Sequence, residues 1–64
     1  MEVKYPEITV NLIGEDGNVF NLMGIVSRAL RRIKIDPKDF QDEVMASGSY
    51  DEALRVIMKW VNVT

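Results

Sequence analysis

Hydrophobic and polar positions alternate near the start of the chain and then change to a helical period. The apolar positions of residues 7–13 that alternate with polar neighbours are Ile8, Val10 and Leu12. This is the period of a half-buried β-strand. Pro6 stands just before the segment, where its missing N–H has little effect. Because the glycine-containing segment 14–18 interrupts the alternation, the pattern predicts one strand that ends at a loop.

A helical spacing of apolar residues begins at Val19 and continues for about fifteen residues. Its members are Val19, Leu22, Met23, Val26, Ala29, Leu30 and Ile33. Asn18 is the expected N-cap, and the helix should end near residues 34–35. An alternative takes Asp16-Gly17 as a hairpin turn and residues 19–23 as a second strand. We favour the helix because its spacing persists far beyond residue 23.

A second, short helix is predicted after Asp36-Pro37. Asp36 suits the N-cap, and proline suits the first helical position because its missing N–H is not needed there. The expected inner face consists of Phe40, Val44 and Met45. Gly48 is the expected end of this helix, as a residue in the left-handed conformation.

A third helix is predicted from Ser49, which together with Glu52 forms a capping-box pattern. Its expected apolar side consists of Tyr50, Ala53, Leu54, Ile57, Trp60 and Val61. Residues 60–64 alternate again and predict a short second strand. The fold class is therefore α+β: a single small domain over residues 1–64, in the order β-α-α-α-(β), with three amphipathic helices on a two-stranded sheet. The open strand edge would suit a homodimer.

Composition removes several classes of chemistry. The formal net charge is −2, and the chain has neither cysteine nor histidine. Disulfides and thiolate metal sites are therefore excluded, and the usual general base near neutral pH is missing. We find neither a signal peptide nor a transmembrane stretch, and expect a cytoplasmic protein without membrane partners. No cofactor is expected.

Two acidic segments resemble chemical sites only superficially. A glycine-rich loop before a helix can bind phosphate, but Glu15 and Asp16 occupy segment 14–18 and no P-loop lysine follows. The ligand spacing of a calcium loop is also absent. The carboxylates of the second helix, Asp39, Asp42 and Glu43, lie along one helix rather than across a cleft. We expect a turn and a solvated surface, and no enzymatic activity.

A basic surface on the first helix is the main candidate for contacts with a partner. Its residues are Arg28, Arg31 and Arg32, with Asn21 and Gly24 on the same side. The expectation is a solvated surface whose arginines pair with the acids of the second helix. The alternative is that they contact a protein partner. A mid-helix glycine would permit close approach of another backbone, either in this chain or in a partner. Phe20 and Met58 lie at the edges of their stripes and are further candidate contact residues.

Several short blocks carry a resemblance to known sequences. The blocks are Tyr5-Pro6-Glu7-Ile8-Thr9-Val10, Gly14-Glu15-Asp16-Gly17-Asn18, Ala29-Leu30-Arg31-Arg32, Ser47-Gly48-Ser49-Tyr50-Asp51 and Trp60-Val61-Asn62-Val63. The chain resembles a group of short, uncharacterised bacterial proteins that also occur in phages and mobile elements. The resemblance implies a free-standing small protein and brings no known activity, ligand or functional residue. Ser49 stands where this group is expected to have aspartate, and it keeps the N-cap role.

The sequence therefore leaves the biochemical function open between two classes. The leading hypothesis is a non-enzymatic protein-interaction module with an unknown protein partner, which would also act as a homodimer through its strand edge. The alternative is a nucleic-acid-associated accessory protein of phage or mobile-element origin, which would use the arginine surface of the first helix. The acidic net charge speaks against nucleic acid without excluding it.

Overall fold

The chain folds into two strands and three helices in the predicted order. The structure is a computed structural model, and it describes residues 2–12 and 14–64. The elements are β1 (Tyr5–Val10), α1 (Val19–Arg32), α2 (Lys38–Ala46), α3 (Tyr50–Trp60) and β2 (Val61–Val63). The α+β prediction is confirmed, and the helical interpretation of residues 19–23 is correct where the hairpin alternative is wrong. The principal extents of the molecule are 27, 25 and 23 Å.

The sheet is a parallel pair, so the three helices form the crossover between its strands. β1 begins at Tyr5, before the predicted start, because Tyr5 pairs with Val61. The register is irregular between Tyr5 and Thr9, around Pro6. The Asn62 side-chain amide donates to the Pro6 carbonyl at 2.7 Å. The predicted strand residue Leu12 lies beyond the end of β1, and residue 13 is outside the described residues.

Trp60 connects most of the elements. Its ring lies 5.7 Å from that of Tyr5 and 5.5 Å from that of Phe40, the latter edge to face. Its indole N–H donates to Glu43 Oε1 at 3.0 Å, and the Lys4 ammonium lies 4.0 Å from the ring centroid. Because α3 passes into β2 without a loop, Trp60 and the next residue are both buried. One side chain therefore links β1, α2 and α3.

The other helices add one continuous core beside this aromatic cluster. α1 contributes Leu22, Val26 and Leu30, and α3 contributes Ala53 and Ile57. Ser27 is the buried polar residue of α1, and its hydroxyl oxygen accepts from the Gln41 amide of α2 at 3.0 Å. In the described ranges, no buried side-chain nitrogen or oxygen lacks a hydrogen-bond partner.

The end of α1 uses a lysine where a glycine is usual. Lys34 has φ 64°, in the left-handed region. The Lys34 N–H donates to the Arg31 carbonyl and the Ile35 N–H donates to the Leu30 carbonyl, both at 3.0 Å. These two bonds form a Schellman motif, which ends the helix at Arg32, slightly before the predicted boundary.

The caps of α2 and α3 confirm part of the prediction and correct part of it. Asp36 Oδ1 accepts from the Lys38 N–H at 3.0 Å, although the helix is bounded one residue later than predicted, with Pro37 as its cap. The predicted left-handed cap at Gly48 is wrong, because α2 ends at Ser47 in an extended conformation. The Ser47 hydroxyl and N–H both donate to the Val44 carbonyl, so no left-handed residue is needed.

The capping box of α3 is also modified. Ser49 Oγ accepts from the Glu52 N–H at 3.2 Å, as predicted. The Glu52 carboxylate, however, accepts from the Gly48 N–H at 2.9 Å rather than from that of Ser49. The interaction therefore holds the Ala46–Tyr50 connection as well as the start of α3.

Acid should destabilise the protein partly through Glu43. Its hydrogen bond from Lys59, followed by that from Trp60, lowers the pKa of this carboxyl below the ordinary value of 4.5. A lowered folded-state pKa gives stabilisation that is present above the unfolded-state pKa and is lost as the pH falls through the folded-state pKa. We expect Glu43→Gln to cost about 1 kcal/mol or less at pH 7, because the site is partly exposed to solvent. The difference from wild type should shrink below about pH 4.5.

Urea denaturation between pH 7 and pH 3 measures this difference. Glu7→Gln is the matched control, because the Glu7 side chain has no hydrogen bond or ion pair within the described chain. Parallel loss of stability by wild type and Glu43→Gln on acidification would contradict the prediction.

Candidate functional site

The arginine surface lies on the outer side of the second half of α1. We use this name for Arg28, Arg31 and Arg32, all of which are exposed. Arg28 and Arg32 line one side of a groove of about 240 Å³, and Thr9 and Asn11 at the end of β1 line the other. The predicted clustering of the guanidinium groups on one helix is therefore consistent with the structure.

The predicted pairing of these arginines with the acids of α2 is wrong. The ion pairs within residues 2–12 and 14–64 are Lys38–Asp42 at 2.9 Å and Lys59–Glu43 at 2.6 Å. Lysines therefore engage the acids of α2 that the arginines were expected to reach. Lys38 is one turn from Asp42, and Lys59 approaches Glu43 because Trp60 packs against α2.

The two other predicted members of this surface have different surroundings. The Asn21 side-chain amide donates to the Asp16 carbonyl at 3.0 Å, so it fastens the loop to the start of α1. At Gly24, an added Cβ would have only the Arg28 guanidinium within 4 Å, at 3.8 Å. No backbone of the described chain approaches Gly24 closely, so packing within this domain does not require a glycine there.

The loop at residues 14–18 is closed by contacts from both sides. Gly14 has φ 82°, which requires a glycine, and Asp16 Oδ1 accepts from the Asn18 N–H at 3.1 Å. Asn18 then caps α1 by accepting from the Phe20 N–H at 2.8 Å. The Tyr50 hydroxyl donates to the Gly17 carbonyl at 2.5 Å. The loop is thus a turn, as predicted, and the structure adds that it is docked on α3.

An apolar groove lies where α1 and α3 begin and α2 ends. It encloses about 340 Å³. We name the apolar groove by its largest side chains, Phe20 and Met23 of α1, Met45 of α2 and Tyr50 of α3. Phe20 and Met45 are 60% and 61% exposed, and Tyr50 is 48% exposed. Three large apolar side chains from three different helices therefore face solvent around one depression.

This clustering was missed at the sequence level, apart from Phe20. Met45 was expected on the inner face of α2, and Tyr50 on the buried side of α3. Met45 lies at the margin of its helical stripe and Tyr50 at the first residue of α3. The periodicity of one helix does not reveal which margins and ends meet. The exposed surfaces of Phe20, Met45 and Tyr50 become neighbours only when the three helices are packed together. A signal existed in the sequence, because Met45 is a large apolar residue at the edge of its stripe and Tyr50 directly follows the N-cap of its helix.

A second groove of about 350 Å³ lies on the other side of α3. It is lined by Glu2, Arg55, Val56, Met58 and Lys59. Met58 is 59% exposed and is the one large exposed apolar side chain among these residues. The remaining wall is formed largely by the long side chains of charged residues, which keep their charged ends in water. Met58 was singled out from the sequence, and it matches Met45 in type and exposure.

Two acidic side chains of α2 form ion pairs with lysines among the described residues. In the described portion of the chain, no group of three or more acidic side chains is placed to hold a metal ion. Glu43 accepts a hydrogen bond from Trp60 and forms an ion pair with Lys59, and Asp42 forms an ion pair with Lys38. The hydroxyl oxygen of Ser27 is buried against Gln41. Across residues 2–12 and 14–64, no helix has the length and apolar character to cross a membrane.

Replacing Gly24 by alanine should stabilise the protein. The added methyl group has room, and alanine is favoured over glycine in a helix by about 0.5–1 kcal/mol. Urea denaturation should therefore show an increase of this size for Gly24→Ala. Gly14→Ala is the control and should lose stability, because φ 82° is unfavourable for alanine. A destabilised Gly24→Ala protein would show that another backbone approaches this position.

Comparison with known proteins gives no direct assignment. No protein-family model matches the chain. No curated protein matches it, and no solved structure does. The resemblance to short bacterial and phage proteins therefore stays a prediction.

Proposed function

We propose that this protein is a non-enzymatic interaction module that binds a protein partner through the apolar groove. The observation that carries the proposal is the exposure of Phe20, Met45 and Tyr50 around a single depression. Scattered exposed apolar residues are ordinary, but a contiguous group is typical of an interaction surface. Aromatic residues and methionine are also enriched in protein interfaces.

The stability of the fold does not require Phe20 and Met45 to be exposed and apolar, whereas Tyr50 also holds the loop at residues 14–18 through its hydroxyl. An exposed surface position accepts polar substitutions with changes of about 0.5 kcal/mol or less. Phe20 and Met45 keep more than half of their surface in water, so their burial contributes little to folding. A partner that covers Phe20 and Met45 would remove from water the apolar surface that folding leaves exposed, and this burial would stabilise the complex.

Homodimerisation through the strand edge is a separate proposal and is less well supported. β2 has three residues, and Pro6 within β1 has no N–H to donate to a neighbouring strand. Short edges and proline both limit strand addition. The cytoplasmic location also stays a proposal, for which the lack of cysteine is the sequence argument.

The binding surface is tested by comparing matched positions on the two grooves. A photoreactive phenylalanine analogue at position 20 should form an adduct with one protein in source cells, and the same analogue at position 58 should not. With that protein purified, Met45→Glu should lower its affinity at least tenfold, because a charge would be buried against the partner. Met58→Glu should leave the affinity within about twofold, since Met58 lies outside the groove.

The two methionines make a strict comparison because their exposed fractions are 61% and 59% and both lie on helices. A common effect on folding would therefore appear in both variants. Equal loss of affinity in both variants, or an adduct formed only through position 58, would overturn the assignment to the apolar groove.

Nucleic-acid binding is the second candidate, and one observation favours it. The arginine surface has no ion pair within the described residues, so its charges are available to phosphates. If these three arginines bind DNA, a fourfold rise in salt should weaken binding by about fortyfold, from counterion release at three phosphates. Replacing all three by glutamate should abolish binding in an electrophoretic mobility assay. Affinity that is insensitive to salt, or unchanged in the glutamate variant, would rule this candidate out.

A further inference from the structure

The polar side chains that line the apolar groove, and most of the backbone N–H groups there, already have hydrogen-bond partners within the chain. The Ser47 N–H and hydroxyl both donate to the Val44 carbonyl. The Gly48 N–H donates to Glu52, and Ser49 Oγ accepts from the Glu52 N–H. The Tyr50 hydroxyl donates to the Gly17 carbonyl. The groove therefore offers apolar contact and few free hydrogen-bonding groups.

This limits the backbone of any occupant. A backbone N–H or carbonyl that is buried without a hydrogen-bond partner costs about 1–3 kcal/mol. An extended segment would need pairing from a strand edge, and the groove is lined by α1, α2, α3 and the connection at residues 47–49 rather than by a strand. An α-helix satisfies its own backbone and presents apolar side chains at positions i, i+3, i+4 and i+7. The groove thus favours a helical occupant over an extended one.

The chain segments that form the groove carry only negative formal charge. Residues 14–23 and 41–54 contain no lysine or arginine, although the chain has eight such residues. Their acids are Glu15, Asp16, Asp42, Glu43, Asp51 and Glu52. Asp42 and Glu43 are paired with lysines from outside these segments. The other four have no ion pair with a described residue.

Two of these acids flank residues that touch each other at the groove. Asp16 precedes Gly17, and Asp51 follows Tyr50, and the hydrogen bond between Tyr50 and Gly17 brings their neighbourhoods together. The amino termini of α1 and α3 lie in the same region and contribute about half a positive charge each. Four unpaired carboxylates exceed that contribution, so the surroundings of the groove remain negative.

A second copy of this chain fits the groove poorly. Beside its arginine surface, Asn21 and Gly24 supply no large apolar side chain. The basic side of α3 that carries Arg55 and Lys59 presents a single exposed large apolar side chain, Met58. A contact between a basic surface of one copy and the apolar groove of another would also be head to tail. Each dimer would then keep one free groove and one free basic surface, and further copies would add to form rings or filaments.

We infer that the occupant of the apolar groove is a positively charged amphipathic α-helix of a partner protein. This inference rests on the proposed function and names the chemistry of the partner. The apolar side of that helix covers Phe20, Met45 and Tyr50, and its lysines or arginines lie near Glu15, Asp16 and Asp51. Electrostatic attraction of this kind raises the association rate and selects against acidic helices.

Three synthetic helical peptides test the inference. They share the same apolar positions at i, i+3, i+4 and i+7, and their polar positions carry lysine, glutamine or glutamate. We expect the lysine peptide to shift the amide resonances of Phe20, Met45 and Tyr50 and to bind at least tenfold more tightly than the glutamine peptide. The glutamate peptide should not bind, and the affinity of the lysine peptide should fall as salt rises.

Charge variants of the protein test which carboxylates attract the lysine peptide. Glu15→Gln combined with Asp51→Asn should weaken the lysine peptide about two- to tenfold and leave the glutamine peptide unchanged. Neither side chain makes a hydrogen bond or ion pair in the described chain, so the effect on folding should be small. The control combines Glu7→Gln with Asp39→Asn, which removes equal charge outside the two groove segments and should leave both peptides unaffected.

Each other outcome has a distinct meaning. Equal binding of all three peptides in the groove would overturn the charge assignment while leaving the groove as an interface. No shift in the groove with the lysine peptide, alongside a genuine adduct through position 20, would overturn the helical occupant but not the proposed function. Concentration-dependent shifts of the same resonances without peptide, with a dimer in sedimentation, would assign the groove to a second copy and overturn the inference.

Discussion

The burial of Trp60 at the junction of α3 and β2 is the constraint on which the rest of the fold depends. A chain of 64 residues has little core, so one large aromatic side chain contributes an unusual share of it. Its indole N–H requires a partner when buried, and Glu43 supplies it from α2. The rings of Tyr5 and Phe40 enclose the indole from β1 and α2. Moving Trp60 would therefore disturb three elements at once.

The same junction explains how a three-residue strand is held. A parallel pair this short is marginal without support. α3 delivers Val61 directly into the sheet, because the backbone changes from helical to extended immediately after Trp60. The Lys4 N–H donates to the Lys59 carbonyl at 2.9 Å, so β1 is aligned with the end of α3 before the strand pairing starts. The sheet is thus an extension of the packing of Trp60.

Local signals predicted the elements well, and failed where a tertiary contact decided the outcome. Asn18 and Ser49 are caps because their side chains meet nearby amides of their own helices, which sequence spacing reports. Gly48 was expected to take the left-handed conformation, but Ser47 satisfied the end of α2, and Lys34 took that conformation elsewhere. The start of β1 was placed too late because Tyr5 pairs with a residue 56 positions away.

The candidate surfaces differ in the same way. The arginine surface depends on residues of one helix, whereas the apolar groove depends on contacts between helices. The arginine surface was visible in the sequence because its members share one side of α1, and basic residues near a helix carboxyl terminus also favour the helix dipole. Acids near the starts of α1 and α3 have the same kind of explanation. Helix electrostatics therefore accounts for much of the charge segregation. It does not account for Phe20, Met45 and Tyr50, whose exposure opposes the hydrophobic effect and which meet only in the folded chain. The apolar groove is therefore the primary binding surface in the proposed function, and the charges around it select the partner.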